Sequence, residues 1–575
     1  MANPVNLVLC WHMHQPYYKE GLDGEYRLPW VYLHGIKDYA DMAAHLENNP
    51  RMRTVVNFAP ILLEQLDDYS QQLGDYLADG AAMRDPLLNM LAGVTPIPAD
   101  SDGRQQLISA CRRAHGPRMI DPYKHFSLLS HIFDDMPADL PEMRSFCLDY
   151  LHEQFFIDLL MWYHIAWLGC SLKQSKTVKS LMTKGKLFSQ QDRRVLVEVI
   201  YEAMSGLIPR YRQLADKGQI ELSMSPYAHP IIPLLNDFGN MGDAQPDDPT
   251  PENREYPGGK ARSSWHLQHG IKVFENYFGR KPKGVWLSEG GLSNDAIEQL
   301  DAIDIDWTAS GEALWKNSCI ESTGCDPNDS IGVRPLFMPY RLNDLHTRIY
   351  FRDDGLSDLI GFEYSTWHAD DAVADFVKHV ETIADGLGKE AGKHVISVIL
   401  DGENAWEYYP NNGRYFIDAL YKALIKSNKI KVRTFADMDH KIREEPLTSL
   451  VAGSWVYGTF STWIGSNDKN RAWDLLVEAK QIYDDVMARK RFRKAKREHI
   501  EKLLAICESS DWFWWFGDYN PSGSVSDFDN LFRLQLKKLY QLLATTPPPS
   551  LDTPISVGGG DMENAGTMQR GSSGA

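Results

Sequence analysis

Two acidic residues follow two predicted strands and are placed to share acid–base chemistry. Glu289 comes after the apolar run 284–287, and Asp401 comes after the β-branched run 395–400. Tryptophan and glycine stand near each acid, so a flat apolar surface and an accessible backbone adjoin a carboxylate. For either acid alone, a helix cap or a salt-bridge partner is the simpler interpretation. Together they fit glycoside cleavage, in which one carboxylate attacks or stabilises the anomeric carbon and the other moves a proton to the leaving oxygen.

Histidines form a second group of candidates at predicted strand ends. His12 and His14 are two positions apart at the end of the first strand, so their side chains point to the same face. His229 lies in a proline-bounded turn after another strand, and Glu403 points the same way as Asp401 two positions earlier. Imidazoles gathered in one pocket donate hydrogen bonds to hydroxyl groups or bind a metal. Each histidine alone also fits a buried side chain bonded to backbone.

The elements that must position these residues alternate between strands and helices. Apolar runs typical of buried strands occur at 6–10, 53–58, 220–225, 284–287, 306–309, 347–351 and 395–400. Helical periodicity occupies several of the intervals between them. Such alternation predicts parallel strands with crossover helices, and about seven of them favour an α/β barrel over an open sheet. Reactive residues in these barrels lie at the carboxyl ends of the strands, where the polar clusters fall here.

Composition narrows the classes of partner. The 575 residues include 78 acidic and 60 basic side chains, for a net charge of −18, which disfavours nucleic acid because phosphate binding needs clustered positive charge. Aromatic residues make up 11% of the chain, more than a core usually requires, and their flat faces suit sugar rings. No Walker or G-x-G-x-x-G pattern is present. The composition therefore favours a sugar partner and predicts no nucleotide or organic cofactor.

Cysteine usage and the amino-terminal segment indicate a location. The seven cysteines are scattered without a C-x-x-C pair, which favours reduced thiols over a disulfide framework or a zinc site. The first residues lack the basic and apolar regions of a signal peptide. No stretch reaches the roughly 18 uninterrupted apolar residues expected of a membrane span. We therefore expect a cytoplasmic protein with no membrane contact.

Short motifs in a fixed order carry a family resemblance. They are H-x-H-Q-P-Y at 12–17, S-P-Y-x-H-P at 225–230, G-x-W-x-x-E-G at 284–290 and L-D-G-E-N-x-W-E at 400–407. The likeness continues in LPW at 28–30, GSWVYGTFSTWI at 453–464 and SSDWFWWFG at 509–517. In this order the motifs resemble glycoside hydrolase family 57, and in particular its α-amylase and amylopullulanase branch. The resemblance extends from about residue 6 to residue 535.

The resemblance implies a fold and an activity. The implied fold is a distorted TIM-like (β/α)7 barrel with a helical insertion and a helical domain packed against its active face. The implied chemistry is retention of anomeric configuration on α-glucans, with Glu289 as nucleophile and Asp401 as general acid/base. A retaining mechanism places the two carboxyl groups about 5–5.5 Å apart.

The resemblance also implies substrate contacts. The expected substrate-binding residues, including Glu403 from the residue pattern above, are His12, His14, Gln15, His229, Trp286, Glu403, Trp463 and Asp511. The first four lie near the cleavage point, whereas Trp286, Trp463 and Asp511 line the glucan subsites. Leu287 and Ala405 stand where this branch often has proline, which changes the backbone and leaves the acids in place.

Three regions are predicted along the chain. Residues 1–440 form the catalytic barrel, with the helical insertion at about 70–215. Residues 441–545 form a carboxyl-terminal helical domain that completes the cleft. The segment 546–575 is rich in proline, glycine and serine with little to bury, and is predicted to be disordered.

Several functions remain open at the level of sequence. The leading hypothesis is a retaining hydrolase of α-1,4 and also α-1,6 links in starch, glycogen or maltooligosaccharides. A 4-α-glucanotransferase or branching enzyme would keep the same site and change only the acceptor. Less favoured are a metal-dependent hydrolase using His12, His14, His229 and Asp401 as ligands, and a non-catalytic glucan-binding protein. We predict no metal ligands, and the sequence leaves the oligomeric state open.

Overall fold

Two sheets form the centre of the computed structural model, which describes residues 4–137, 139–324, 326–327, 335–438 and 442–560. The strands are β1 Val5–Met13, β2 Thr54–Phe58, β3 Ile220–Met224, β4 Trp307–Ser310, β5 Tyr340–Leu342, β6 Arg348–Phe351, β7 Val395–Asp401, β8 Ile430–Arg433 and β9 Glu445–Leu447. All nine side chains of β1 are buried, as expected of a strand covered on both faces.

The two sheets close into a barrel. One edge of β1 pairs in parallel with β7, and the other pairs with β2 and β8. Parallel bridges join the sheets at Met224–Val285, Gly284–Trp307 and Arg352–Ser397. The order around the ring is β1, β2, β3, the segment 284–285, β4, β6, β7 and β1 again. The predicted α/β class and distorted (β/α)7 barrel are confirmed.

The predicted strand at 284–287 is shorter than expected. Only Gly284 and Val285 pair with neighbouring strands, each through isolated bridges. The indole of Trp307 lies against the backbone here, and a Cβ at Gly284 would stand 1.8 Å from that ring. Glycine therefore permits the close approach, and the chain leaves the sheet directly afterwards. The other six predicted strands are present as β1, β2, β3, β4, β6 and β7.

Helices before β3 include the predicted insertion. Before β2 lie α1 Trp30–His34 and α2 Ala40–Asn48. Between β2 and β3 lie α3 Pro60–Asp79, α4 Pro86–Ala92, α5 Ser101–Cys111, α6 Lys124–Asp134, α7 Pro141–Tyr150, α8 Glu153–Trp167, α9 Cys170–Lys173, α10 Lys176–Lys184 and α11 Gln190–Asp216. Local signals set the ends: α3 begins with proline and ends at left-handed Gly80, and α11 begins with a capping box from Ser189 and Asp192.

The remaining helices cover the barrel and form the carboxyl-terminal part. Those between β3 and β8 are α12 Ile232–Asn236, α13 Gly259–Phe278, α14 Asn294–Asp301, α15 Glu312–Thr323, α16 Asp354–Asp358, α17 Ala369–Leu387 and α18 Arg414–Lys426. The last four are α19 Asn467–Arg489, α20 Lys494–Cys507, α21 Ser510–Trp515 and α22 Ser522–Leu542. Within the described ranges, no helix combines the length and apolar character that crossing a bilayer demands.

The prediction of disorder from residue 546 is wrong for 546–560. Leu551 and Ile555 are buried, and the backbone N–H of Ile555 donates to the buried Asp529 of α22 at 2.7 Å. Arg533 of α22 pairs with the same Asp529 and donates to the Leu551 carbonyl at 3.1 Å. The buried Leu551 and Ile555, together with hydrogen bonds to Asp529 and Arg533, pack this segment against α22, although its composition is typical of disorder. The rest of the predicted tail, 561–575, lies outside the described residues.

The packing of 546–560 makes a stability prediction. Leu551→Ala should lower the free energy of unfolding by about 2–4 kcal/mol, because it leaves a cavity against α22. Val557→Ala is the matched control: this side chain is 74% exposed, so the expected change is within about 0.5 kcal/mol. Urea unfolding followed by circular dichroism measures both. Equal, negligible effects of the two variants would mean that the segment is not packed.

Candidate active site

The candidate site lies at the carboxyl ends of the barrel strands. In the strand register, His12 of β1 is level with Asn57 of β2 and with Asp401 of β7. His229 follows β3, and Glu289 follows the bridged segment between β3 and β4. Because the strands are parallel, residues distant in the chain meet at one end of the barrel.

Glu289 is held by its own backbone and by one tryptophan. Its φ of 58° is left-handed, an uncommon conformation for a non-glycine residue that costs on the order of 1–3 kcal/mol. Trp455 anchors it twice: the backbone N–H donates to the Glu289 carbonyl at 3.0 Å, and Nε1–H donates to Oε2 at 3.0 Å. Oε1 lies 3.9 Å from Nδ1 of His229. The strained backbone thus turns this carboxyl group toward the histidines.

Asp401 has a different set of neighbours. Asn404 Nδ2–H donates to its Oδ2 at 2.6 Å. The guanidinium of Arg352 lies 4.8 Å from the ring centre of Trp455, a cation–π distance, and its charge lowers the pKa of Asp401. The same tryptophan therefore contacts Glu289 and the arginine that acts on Asp401.

The pKa values of both carboxyl groups are raised. Burial raises the pKa of Asp401 to about 6, against the opposing effects of Asn404, His14 and Arg352. Burial and the charge of Asp401 raise the pKa of Glu289 to about 8, opposed by the Trp455 hydrogen bond. Two coupled acids with separated pKa values hold one proton between them near neutral pH. Because Glu289 has the higher pKa, this proton resides mainly on Glu289.

A directional hydrogen-bond chain runs through the histidines. His12 Nδ1 lies 2.7 Å from Asn57 Oδ1, His12 Nε2 lies 3.2 Å from His229 Nε2, and His229 Nδ1 lies 3.0 Å from Ser510 Oγ. Burial lowers the pKa of His12 to about 3 and that of His229 well below its usual value, so both rings are neutral. Since Asn57 Oδ1 only accepts, the consistent assignment is Ser510 donating to His229, His229 to His12, and His12 to Asn57.

His14 completes the cluster, and with His229 and Asp511 it forms a group of side chains that could hold a metal ion. Its ring stacks on His229 with centroids 3.9 Å apart, and Nε2 lies 2.8 Å from Asp511 Oδ1. Ligand-type atoms of His14, His229 and Asp511 all lie within 4.8 Å of one another. Asp401 is not part of this group among the residues described, so the ligand set of the metal-dependent alternative is not assembled as predicted. The His14–Asp511 hydrogen bond satisfies both of its atoms directly.

Ser510 and Asp511 reach the site because a buried ion pair with Arg262 fixes Glu508, two residues before Ser510. Glu508, at the end of α20, accepts from Arg262 Nε and Nη2 of α13, each at 2.8 Å. His266 Nε2 lies 2.8 Å from the same carboxyl group, and Tyr256 OH donates at 2.7 Å. Although burial raises it, the charge of Arg262 and the His266 bond bring the pKa of Glu508 down to about 2. This carboxylate therefore anchors the carboxyl-terminal helices to the barrel.

Comparisons with known proteins identify the family. The model of Glycosyl hydrolase family 57 matches residues 8–450. The chain belongs to glycosyl hydrolase family 57. Family 57 proteins are enzymes that act on glycosides. The two carboxyl groups and the histidine cluster belong to the family-like motifs and lie at the carboxyl ends of the strands. A comparison with curated proteins gave no match.

Solved structures of family 57 enzymes share the fold. A branching enzyme from the archaeon Pyrococcus horikoshii has a TM-score of 0.55 at 15% identity, with 98% of each chain covered. The branching enzyme TK1436 from Thermococcus kodakaraensis has a TM-score of 0.55 at 14% identity, covering 94% of this chain and 90% of its own. The α-amylase AmyC from Thermotoga maritima has a TM-score of 0.55 at 14% identity, covering 94% and 93%. At these identities the likeness shows a common architecture.

Not every predicted site residue of this family 57 chain faces the cleft. Gln15 Nε2–H donates to Glu403 Oε1 at 3.4 Å, Tyr18 OH donates to Gln15 Oε1, and all three side chains are buried. Burial and the charges of Asp401 and Asp38 raise the pKa of Glu403 well above its usual value. Glu403 follows Asp401 in the chain, but its carboxyl group points behind the site toward Gln15.

The two predicted tryptophans are also covered. Trp286 and Trp463 are both 0% exposed, so neither presents a free ring face to a sugar in this structure. Trp286 packs edge-on against Trp455 at 5.1 Å, and Trp463 lies 6.0 Å from Trp514. Their observed role is to support the half-buried Trp455 and Trp514. Trp455 is thus the tryptophan that reaches a site carboxyl group.

Sequence reasoning missed four residues of this family 57 site. Asn57 and Ser510 end the histidine chain, Asn404 holds Asp401, and Trp455 holds Glu289. Asn57 is a polar residue inside an apolar strand, a signal that was available. The other three lie inside the family-like segments, but only the folded contacts distinguish them from their neighbours.

Burial of Glu289 makes stability depend on pH. Its folded pKa lies above its unfolded value, so ionisation costs stability as pH rises from about 4.5 to about 8. Glu289→Gln cannot ionise, and its stability relative to the wild type should therefore rise across this range, by about 4 kcal/mol. Urea unfolding between pH 5 and pH 9 measures the difference. Exposed Glu321→Gln is the control and should track the wild type; parallel curves for Glu289→Gln would contradict the raised pKa.

Proposed function

We propose that this family 57 enzyme cleaves α-1,4-glucans, and also α-1,6 links, with retention of configuration. The observation that carries the proposal is the coupled pair of carboxyl groups, the buried Glu289 and the half-buried Asp401, at the carboxyl end of one barrel. The raised pKa values keep one proton on the pair, which is the protonation state that double displacement needs. Family membership and the α-glucan enzymes among the structural neighbours support the substrate class.

The proposed first step uses both carboxyl groups at once. Glu289 carboxylate attacks the anomeric carbon, the bond from that carbon to the glycosidic oxygen breaks, and Asp401 gives its proton to the departing oxygen. A glycosyl ester on Glu289 and a free sugar hydroxyl result. Trp455 Nε1–H favours the ionised form of Glu289, since it donates to Oε2.

The proposed second step reverses these roles. Asp401 carboxylate takes a proton from an incoming hydroxyl, whose oxygen attacks the anomeric carbon as the ester breaks and Glu289 carboxylate is restored. Two inversions give net retention. Water as the incoming group makes a hydrolase, and a sugar hydroxyl makes a 4-α-glucanotransferase or branching enzyme. The branching enzymes and the α-amylase among the neighbours support one site chemistry with either acceptor.

The proton must move before the first step can occur. The higher pKa of Glu289 keeps the shared proton on this group, whereas the proposed nucleophile must be ionised. A glycosidic oxygen bound beside Asp401 and positive charge developing at the anomeric carbon both favour proton transfer from Glu289 to Asp401. The neutral His12 and His229 add no positive charge to the pair, and because all four of their ring nitrogens are bonded within the histidine chain, contact with a sugar hydroxyl would require one of these bonds to be exchanged.

Two further features complete the proposal. We propose that 1–440 is the catalytic barrel with its insertion, and that 441–545 covers the cleft through Ser510 and Asp511. We also propose a cytoplasmic location, because the six cysteines within the described ranges are free thiols. A non-catalytic glucan-binding protein would have no need of two carboxyl groups buried at an energetic cost.

The roles of the two carboxyl groups can be separated chemically. Glu289→Ala and Asp401→Ala should each lower kcat by about 10³-fold or more on starch. Azide with an activated α-maltosyl substrate should give the β-azide from the Glu289 variant, by one inversion, and the α-azide from the Asp401 variant, by two. Nuclear magnetic resonance of the products reads the configuration. The opposite pattern would exchange the roles, and full activity of either variant would remove that residue from the mechanism.

Product sizes decide between hydrolysis and transfer. Incubation with maltoheptaose, soluble starch and pullulan, followed by chromatographic sizing, should yield shorter maltooligosaccharides if water is the acceptor. Chains longer than maltoheptaose would identify a transferase, and new α-1,6 branches a branching enzyme. The same assay with a chelator should show unchanged activity. Loss on chelation with recovery on adding Zn²⁺ would instead favour the metal-dependent alternative.

A further inference from the structure

Two exposed tyrosines stand near the candidate site. Tyr457 is 66% exposed and Tyr519 is 54% exposed, in a region whose other aromatic side chains are buried or half-buried. Single exposed aromatic side chains are ordinary on protein surfaces, so exposure alone does not indicate a ligand. The question is whether their positions are held by the fold or merely reflect loose loops.

The turn that carries Tyr457 is held firmly. Gly453 pairs with Leu292 in an antiparallel bridge, and Ser454 Oγ–H donates to the Thr459 carbonyl at 2.7 Å. Trp455, two residues before Tyr457, donates to Glu289 through both of its N–H groups. Tyr457 itself has a left-handed φ of 56°, which is a strained conformation for an aromatic residue. The fold therefore maintains this exposure at an energetic cost.

Tyr519 is held by its hydroxyl end. Lys469 Nζ–H donates to Tyr519 OH at 2.9 Å and to the Ser461 carbonyl at 3.2 Å, and Tyr519 OH donates to the Trp514 carbonyl at 3.2 Å. Lys469 is buried and bonds to both the Tyr519 loop and the loop that contains Ser461, so it holds the two loops together. A Cβ at Gly517 would lie 2.6 Å from the Tyr519 ring, so glycine there makes room for the ring. Only the ring is left open to solvent.

The loops that carry Tyr457 and Tyr519 are joined to each other, and one of them contacts Glu289. Burial is the main cause that raises the pKa of Tyr519, and Asp518 and Tyr457 add to it. Lys469 connects the Tyr519 loop to the loop 453–464, whose Trp455 contacts Glu289. Both exposed rings are therefore carried by loops connected to the segment that holds Glu289.

We propose that Tyr457 and Tyr519 form an outer subsite that binds the distant glucose units of a long α-glucan. The proposal rests on the proposed function and extends it to chain-length preference. The C–H faces of glucopyranose stack on aromatic rings, and rings held rigidly in advance lose little entropy when a sugar binds. A short oligosaccharide that occupies only the cleavage point would not reach them.

Kinetics on short and long substrates test the outer subsite. Tyr457→Ala and Tyr519→Ala should each lower kcat/KM on amylose by about 3- to 10-fold, mainly through KM, and leave maltotriose unchanged. Tyr457→Phe keeps the ring and should retain wild-type values. Tyr150→Ala is the matched control, because this tyrosine is 77% exposed on α7 of the insertion. Equal losses on both substrates, or no loss on amylose, would overturn the proposal.

Binding without turnover separates this proposal from the proposed function. Gel retardation in amylose, with Glu289→Gln as the parent, should weaken when Tyr457→Ala or Tyr519→Ala is added. If the wild type shows no α-glucan activity but the tyrosine variants still lose retardation, the proposed function fails and the outer subsite stands. If the wild type is active and retardation is unchanged in the variants, the subsite is wrong and the function stands. Absence of both activity and retardation in the wild type overturns both.

Discussion

The buried pair between Arg262 and Glu508 is the interaction on which the closed site depends. It joins a barrel helix to the carboxyl-terminal helices with two parallel hydrogen bonds, and His266 and Tyr256 satisfy the remaining capacity of the carboxylate. A buried ion pair contributes little net stability compared with an apolar replacement, but losing one partner is expensive. Its value here lies in geometry, because Ser510 and Asp511 lie two and three residues after Glu508 and reach the histidines of the barrel.

Charge is distributed unevenly around that anchor. Glu508 is ionised because a guanidinium lies against it, whereas Glu289 and Glu403 lack a cation and have raised pKa values. His12 and His229 are neutral because burial opposes a positive charge on their rings, although both rings have hydrogen-bond partners. The site is therefore a low-dielectric enclosure with a mobile proton and few fixed charges. Such an environment strengthens the interaction of Glu289 and Asp401 with charge that develops on a substrate.

The loop 453–464 connects the candidate site to the surface. Trp455 donates two hydrogen bonds to Glu289, packs on Trp286 and lies against the guanidinium of Arg352, which lowers the pKa of Asp401. The same loop continues to the exposed Tyr457. This loop therefore contacts Glu289 through Trp455 and presents the ring of Tyr457 to solvent, which is why we propose that it also binds long chains.

The sequence by itself determined the barrel class, six of its strands and the two acids, because each strand end carries a local pattern of apolar run and polar cluster. It also carried the family motifs. Tertiary structure alone decided which polar residues face one another: Trp455 and Ser510 reach the site across more than 160 residues of chain, and Glu403 turns away although it is two residues from Asp401. The burial of Trp286 and Trp463 and the packing of 546–560 were equally hidden. Composition and periodicity report how a segment meets its neighbours in sequence, whereas exposure and pKa depend on atoms brought near by folding.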